Sequence, residues 1–459
     1  AIDRKVPELG AVIATNPDAL AMADALDRER KAGKVRGPLH GIPVLVKDNC
    51  HTKDAVATTG GSLALAGLMA GKDSTVAAKL RAAGAVIVAK TNLSEWANFR
   101  STRSTSGWSG VGGQCRNPYD LARNPSGSSS GTGAGISANL GAVGIGTETD
   151  GSITAPSSAS CLVGIKPTVG LIGRTGIIPI SHTQDTAGPM TRTVTDAAVL
   201  LGALEGFDPE DAATRVPRPK MVPDYTRFLD PAGLKGARIG VCRGLFTRNP
   251  HVTKLVDEAI AAMKSAGASI VDPADLPPTS KYGDAEFDVL LYEFKADLAA
   301  HFAWIGAKSP MKTLADVIAF NNGHVDSEMP FFDQEIFVMA EKKGPLTDPK
   351  YLAAVRKCRL FARTRGIDLV MTTHKLDALV APTAGPAWFT DHVNGDSDTG
   401  GSTTPAAVAG YPSVTVPAGF VMGLPVGVSF FGRAWTEGTL IKLAYAFEQT
   451  TKARRPPNV

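Results

Sequence analysis

Short apolar runs alternate with amphipathic stretches along most of this chain. IPVLV at 42–46 ends in Lys47 and reads as a buried strand. STVAAKLRAAG (74–84) has apolar positions at helical spacing and leads at once into the strand-like AVIVAK. Upstream, Asn16-Pro17-Asp18 predicts a helix through ALAMADALDRERKAG, with Asn16 as N-cap and Pro17 in the first turn. The alternation returns with ARIGVCR (237–243), VTKLVDEAIAAMKSAG (252–267) and ASIVD (268–272). It closes with LDALVAP (376–382), PSVTVPAG (412–419), PVGVSFFG (425–432) and a helix over 439–450. Continuous apolar strands between amphipathic helices predict an α/β fold, with a large mixed, mostly parallel twisted sheet covered by helices on both faces. No repeat or long linker divides the chain, so residues 1–459 are expected to form one domain. The helical stretch from about 285 to 375 reads as an insertion that lines or roofs a cleft.

Composition narrows the function classes. At 459 residues, 43% hydrophobic and 20% charged, the chain has the balance of a soluble globular protein. Its 48 Lys and Arg against 44 acids leave a net charge of +4, too small to argue for nucleic acid. No apolar run approaches the roughly 18–20 residues of a membrane span. The five cysteines (Cys50, Cys115, Cys161, Cys242, Cys358) are scattered, with no CxxC, which fits neither a disulfide framework nor a zinc site. The chain begins at Ala1 without methionine and without a signal-peptide pattern. The cytoplasm is favoured, and export stays open because this numbering can begin after a removed leader.

Candidate chemistry concentrates in two Gly/Ser stretches, RNPSGSSSGTGAG (123–135) and GIGTETDGSITAPSS (144–158). The first contains G-x-S-x-G at 127–131, but the strand that a nucleophile elbow requires does not precede it. Ser309-Pro-Met-Lys312 lacks the companion motifs of an S-x-x-K enzyme, and Gly131–Gly135 lacks dinucleotide-loop spacing. The acidic loop NGDSDTGG (394–401) lacks calcium-loop spacing and reads as solvated surface. The recurrence of small residues as GTETDGS, straight after an apolar segment, argues against a flexible linker. Such a turn aims several backbone N–H groups inward, as an oxyanion hole requires, and Ser152 ends it. A nucleophilic serine needs a base, and neither stretch holds a histidine. His182, the nearest downstream, reads as a hydrogen-bonded loop residue. Lys47, at the carboxyl end of an apolar strand, is the better candidate: burial lowers a lysine pKa and leaves an amine able to accept a proton. Its bland reading is a solvated strand tip.

GIPVLVKDN, PSGSSSGTGAG, GTETDGSITAP and VGIKPTVGLI resemble the amidase signature family of serine hydrolases, and the likeness continues through KTNLSEWANF, AGYPSVTVPAG and GLPVGVSFFG. The resemblance spans nearly the whole chain, with its signature core at about 36–200. Within the family it is nearest to the members that act on peptide amides, through GTETDGS, HTQDTAGPM and LLYEFKA. The resemblance implies a Ser–Ser–Lys triad with Lys47 as base, Ser128 as bridging serine on a cis peptide, and Ser152 as nucleophile. Glycines around Ser128 permit that tight path, and Ser129 and Ser130 are placed to bond the freed backbone groups. The sequence also departs from the family pattern: Ser126 and Ser130 stand for glycines, Glu148 for the usual aspartate, Asp150 for a glycine and Thr154 for an arginine.

The expected activity is hydrolysis of a carboxamide through an acyl-enzyme. Backbone N–H groups among Thr149, Asp150, Gly151 and Ser152 would hold the oxyanion, with no metal or organic cofactor. C-terminal peptide carboxamides releasing ammonia are the expected substrates. Aryl or alkyl amides are the alternative, as is an amidotransferase subunit that works only with partner proteins. A non-enzymatic binding scaffold is a third reading, disfavoured by the intact triad. Neither nucleic acid nor membrane is expected as partner, and the chain is expected as monomer or homodimer. Trp96 and Tyr292–Phe294 are candidates for an apolar wall of the site, or equally for core.

Overall fold

The computed structural model describes residues 2–5, 8–216, 221–397 and 400–459. Asp398 and Thr399 of the acidic loop therefore lie outside the described residues. Thirteen strands appear among the described residues, in chain order: β1 (Val12–Thr15), β2 (Pro43–Lys47), β3 (Val86–Thr91), β4 (Trp108–Ser109), β5 (Gly113–Gln114), β6 (Val143–Glu148), β7 (Val163–Lys166), β8 (Thr186–Thr191), β9 (Arg238–Val241), β10 (Ser269–Val271), β11 (Ala378–Pro382), β12 (Ser413–Val421) and β13 (Leu424–Phe431). β4 and β5 make a small separate ribbon, and the other eleven form one mixed sheet in the order β1-β3-β2-β6-β8-β7-β12-β13-β11-β9-β10. Two parallel blocks, β3-β2-β6 and β11-β9-β10, are joined by antiparallel pairings through β8, β7, β12 and β13.

The strands are apolar without interruption because both faces are covered. Val44 and Val46 of β2 point into one core, with Ile87, Ile145 and the helices Thr75–Ala82 and Val194–Leu204. Leu45, between them, points to the opposite face and packs with Ile136 and Leu162. β11 divides in the same way: Ala378 and Val380 join the first core, while Leu379 and Ala381 join a second. Helix Pro250–Ser265 covers its side through Val252, Val256, Ala259, Ile260 and Met263, spaced for one helical face. Each of the Val, Ile and Met side chains contributes about 1.5–3 kcal/mol on full burial.

The helical stretch is present as Gly283–Ile305, Leu314–Gly323, Val325–Glu328, Glu335–Glu341 and Pro349–Arg359, then a π-helical turn and Asp368–His374. Phe294, Leu298 and Phe302 of its longest helix pack with Leu314, Val317, Ile336 and Phe337, and against Trp96 and Phe99. The first helix begins at Ala19, slightly later than its punctuation suggested. Asn16 instead holds a turn: its Oδ1 accepts from Asp18 N at 3.0 Å and its Nδ2 donates to Ile87 O at 2.8 Å. RNPSGSSSGTGAG is no linker, since its second half is the buried helix Ser130–Ser137. The carboxyl ends of β2, β3 and β6 lie side by side, the place where open α/β sheets carry ligand sites.

Candidate active site

Lys47 closes β2, and Thr147 and Glu148 close the neighbouring parallel β6. The Lys47 side chain is fully buried, so it is not a solvated tip. Its Nζ lies 2.7 Å from Ser128 Oγ, 3.0 Å from Thr147 Oγ1 and 3.3 Å from Thr147 O. Asn49 Nδ2 donates to the same Thr147 hydroxyl at 2.9 Å, fixing it from the other side. Burial pulls the lysine from 10.5 down to about 7, against the opposing pull of Cys50, Asp185 and Glu148. The amine is therefore neutral in a large fraction of molecules near neutral pH.

The peptide between Gly127 and Ser128 is cis. Serines pin the surrounding loop. Ser130 Oγ donates to Ser126 O at 2.7 Å, and Ser94 N donates to Ser128 O at 3.1 Å. Ser129 Oγ donates to Thr147 O at 3.1 Å and accepts from Thr147 N at 3.2 Å, which ties the loop to the end of β6. The composition follows from packing as well as from bonding. A Cβ on Gly127 would lie 2.2 Å from Ser94 Oγ, and one on Gly131 would lie 2.2 Å from Ala11 O.

The second Gly/Ser stretch turns at Gly151 with φ +79° and enters helix Thr154–Ala159. Ser129 N donates to Ser152 O at 3.1 Å, so the two stretches meet directly. Glu148 Oε2 accepts from Ile153 N at 2.8 Å and Thr154 N at 2.9 Å, taking up the amides that open that helix. Among the described residues, the N–H groups of Asp150, Gly151 and Ser152 find no acceptor within the protein. Ser152 is 8% exposed. Among the described hydrogen bonds, none links Ser152 Oγ to Ser128 Oγ.

Two openings flank the turn. One is a polar cleft of about 320 Å³ bounded by Gly127, Asp150, Gly151, Asn98, Trp388 and Thr403. The other, of about 300 Å³, lies beside Asn49, Thr147–Thr149 and Asp185, and the long helix gives its wall Asp297, Ala300, His301 and Trp304. The aromatic residues that the sequence offers for an apolar wall belong to the core. Trp96 is 2% exposed and packs edge-on to Phe337, while Phe294 stacks on Phe337. Tyr292 packs on Tyr351 and donates to Asp348. His182 is a partnered loop histidine, its Nδ1 2.9 Å from Asp297.

Residues not foreseen from sequence complete the surroundings. Asp185 accepts from Thr149 Oγ1 at 2.6 Å and from two backbone amides, and burial pushes it up to about 6. Gln184 bridges Thr149 O and Glu286, whose carboxyl burial and the Asp150 charge push up to about 8. Asn49 and Thr147 stand inside GIPVLVKDN and GTETDGS. Gln184 stands inside HTQDTAGPM, whereas Glu286 comes from a distant segment and carries no local signal. Among the described residues, His182, Glu293 and Asp297 bring metal-type ligand atoms within 4.8 Å of one another. Glu293 is already engaged by Ser181, Thr183 and Tyr351, and no residue of the group touches Lys47 or either serine. No described helix is long and apolar enough to cross a membrane.

Comparison with known proteins follows the same lines. The family model described as Amidase matches residues 1–441. A probable amidase of Arabidopsis thaliana is 43% identical over 467 residues, covering 100% of this chain and 86% of its own. The native peptide amidase of Stenotrophomonas maltophilia superimposes with a TM-score of 0.95 at 50% identity, over 100% of this chain and 92% of that one. A glutamyl-tRNA(Gln) amidotransferase chain of Moorella thermoacetica is 36% identical over 453 residues, covering 96% of this chain and 89% of its own.

Proposed function

The chain belongs to the amidase family and is an amide-hydrolysing enzyme, and from that premise we propose that it acts through Lys47, Ser128 and Ser152 on C-terminal peptide carboxamides. Neutral Lys47 takes the proton of Ser128 as Ser128 takes that of Ser152. Ser152 Oγ then attacks the carbonyl carbon. The oxyanion rests on the N–H groups of Thr149, Asp150, Gly151 and Ser152. The tetrahedral species collapses as the C–N bond breaks, and the proton held by Lys47 returns through Ser128 to the departing nitrogen, which leaves as ammonia. Water, deprotonated along the same route, attacks the ester carbon, frees the acid and restores Ser152. No step calls on a metal or organic cofactor. Residues 1–459 act as one amidase unit, with the core at about 36–200 and the helical segment at about 285–375 beside it.

The observation that carries this reading is the 2.7 Å approach of a fully buried lysine amine to Ser128, on a loop bonded to Ser152. The polar cleft beside Asp150 and Gly151 favours a peptide over a purely aryl acyl group, because a peptide presents backbone N–H and C=O groups to a polar wall. The name of the superimposed peptide amidase points the same way. The test is ammonia release from N-acetyl-Phe-NH2 and a short peptide amide by the purified chain, with the free acid identified by mass spectrometry. Turnover of an anilide alone would replace the peptide-amide assignment with an aryl-amidase one. Hydrolysis seen only with added partner proteins and charged tRNA would favour the amidotransferase reading.

A further inference from the structure

Asp150 stands where the family pattern has glycine, and its side chain has no role in the steps above. It borders the polar cleft together with Gly127 and Gly151, next to the turn that presents Ser152. Its Oδ1 is buried and has no hydrogen-bond partner. A buried acceptor left empty costs about 1–3 kcal/mol, so a ligand that fills it gains what the apoprotein lacks. Asn98, on the same cleft, also carries a buried side-chain oxygen without a partner, on a backbone held at φ +72°. The cleft wall thus offers unused acceptor capacity on Asp150, two positions before Ser152, and on Asn98.

We propose that Asp150 is a specificity-determining residue, its Oδ1 accepting a hydrogen bond from the N–H of a carboxamide presented to Ser152, so that the site favours amides over esters of the same acid. This rests on the amidase reading of the site and names what it selects. An ester has no N–H and leaves Oδ1 empty; a primary amide has two N–H groups and fills it. Lys166 and the Thr403 and Thr404 hydroxyls favour an ionised Asp150, whereas burial and Glu148 oppose it. Burial raises Asp150 to about 6, helped by Glu148 on β6 and opposed by the Thr403 and Thr404 hydroxyls and by Lys166 on β7. Glu286, on the long helix, is pushed higher, to about 8, so near neutral pH it keeps its proton and the charge sits on Asp150. Tyr282, beside both, is held in its neutral form by burial above all, with the Asp150 charge acting in the same direction.

The experiment compares kcat/KM for N-acetyl-Phe-NH2 with that for N-acetyl-Phe methyl ester, and for benzamide with methyl benzoate, in wild type, Asp150→Asn and Asp150→Ala. Taking the amide-to-ester ratio removes any loss that a disturbed turn imposes on both. Fluorophosphonate titration counts the folded, competent sites in each variant. The expected result is a ratio at least fivefold lower in Asp150→Ala, with a smaller fall in Asp150→Asn, whose side-chain oxygen still accepts. In wild type the ratio should also fall as pH drops through about 6, and it should stay flat in Asp150→Asn. A ratio within fivefold of wild type in Asp150→Ala overturns the proposal. If the peptidyl pair is not turned over by wild type, the peptide-amide assignment fails, while the benzoyl pair still decides the role of Asp150.

Discussion

Raising the pH across neutrality should switch on the amidase by removing one proton from Lys47. An ordinary lysine with pKa 10.5 is neutral in about 0.3% of molecules at pH 8, whereas Lys47 at about 7 is neutral in about 90%. The buried setting therefore multiplies the neutral population about 300-fold at that pH. The same shift has a stability cost of fixed sign. The folded chain binds this proton less tightly than the unfolded chain does. The penalty is full below about pH 7, fades between about 7 and 10.5, and reaches roughly 5 kcal/mol at its largest. The assay is kcat/KM for a soluble peptide amide from pH 5 to 10, which should rise with unit slope and a midpoint of about 7. Asp185 near 6 and Glu286 near 8 titrate in the same range, so the midpoint must be assigned. Warming lowers an ammonium pKa markedly and moves a carboxyl little, so the midpoint should shift to lower pH with temperature. Lys47→Met should cost about 10²–10⁴ in kcat and remove the limb, and Lys47→Arg should not rescue, because guanidinium keeps its proton. A temperature-independent midpoint, or Lys47→Met within tenfold of wild type with the limb intact, would refute the reasoning.

Ser152→Ala should abolish both turnover and fluorophosphonate labelling; mass spectrometry placing the label on Ser129 would overturn the assignment. Ser129→Ala should keep labelling at Ser152 while losing about 1–3 kcal/mol of stability, since Thr147 N loses its partner and Thr147 O keeps only Lys47 Nζ. Glu148→Gln should cost about 1.5–3 kcal/mol through its bonds to Ile153 N and Thr154 N. Because the Glu148 charge raises Lys47, the same change should also move the activity limb to lower pH; a shift to higher pH would contradict it. Ser126 holds φ +63°, where a side chain costs about 1–2 kcal/mol, so Ser126→Gly should raise the unfolding midpoint, and a lowered one would count against strain there. Treatment with EDTA should leave turnover unchanged; loss restored by a divalent ion would end the metal-free reading.

The candidate site was legible wherever its chemistry sits in contiguous sequence. GIPVLVKDN places a lysine at a strand end, and β2 ends there. PSGSSSGTGAG and GTETDGS combine glycine where no Cβ fits with serine where a backbone group needs a partner, and Gly127, Gly131, Ser129 and Ser130 meet those demands one by one. Trp96 and Phe294 were ambiguous because an aromatic side chain at helical spacing suits a core and a cleft wall equally. Only the packing of the long helix against Phe337 decided between them.

What the sequence determined by itself was local: strand and helix periods, the turn at Gly151, and which residue types could serve as base, bridge and nucleophile. Tertiary structure decided the rest, because these properties depend on distance and solvent rather than on neighbours in the chain. Parallel pairing of β2 with β6 brings Lys47 to Ser128 across 81 positions, and full burial in that contact lowers the lysine pKa to about 7. The antiparallel pairings that complete the sheet, and the approach of Glu286 and Gln184 to the Gly151 turn, join segments far apart in sequence. Such contacts form only after long loops close, and no local period records which segment will arrive. Lys47 is a lysine by sequence, but its chemistry belongs to the fold that keeps water from it.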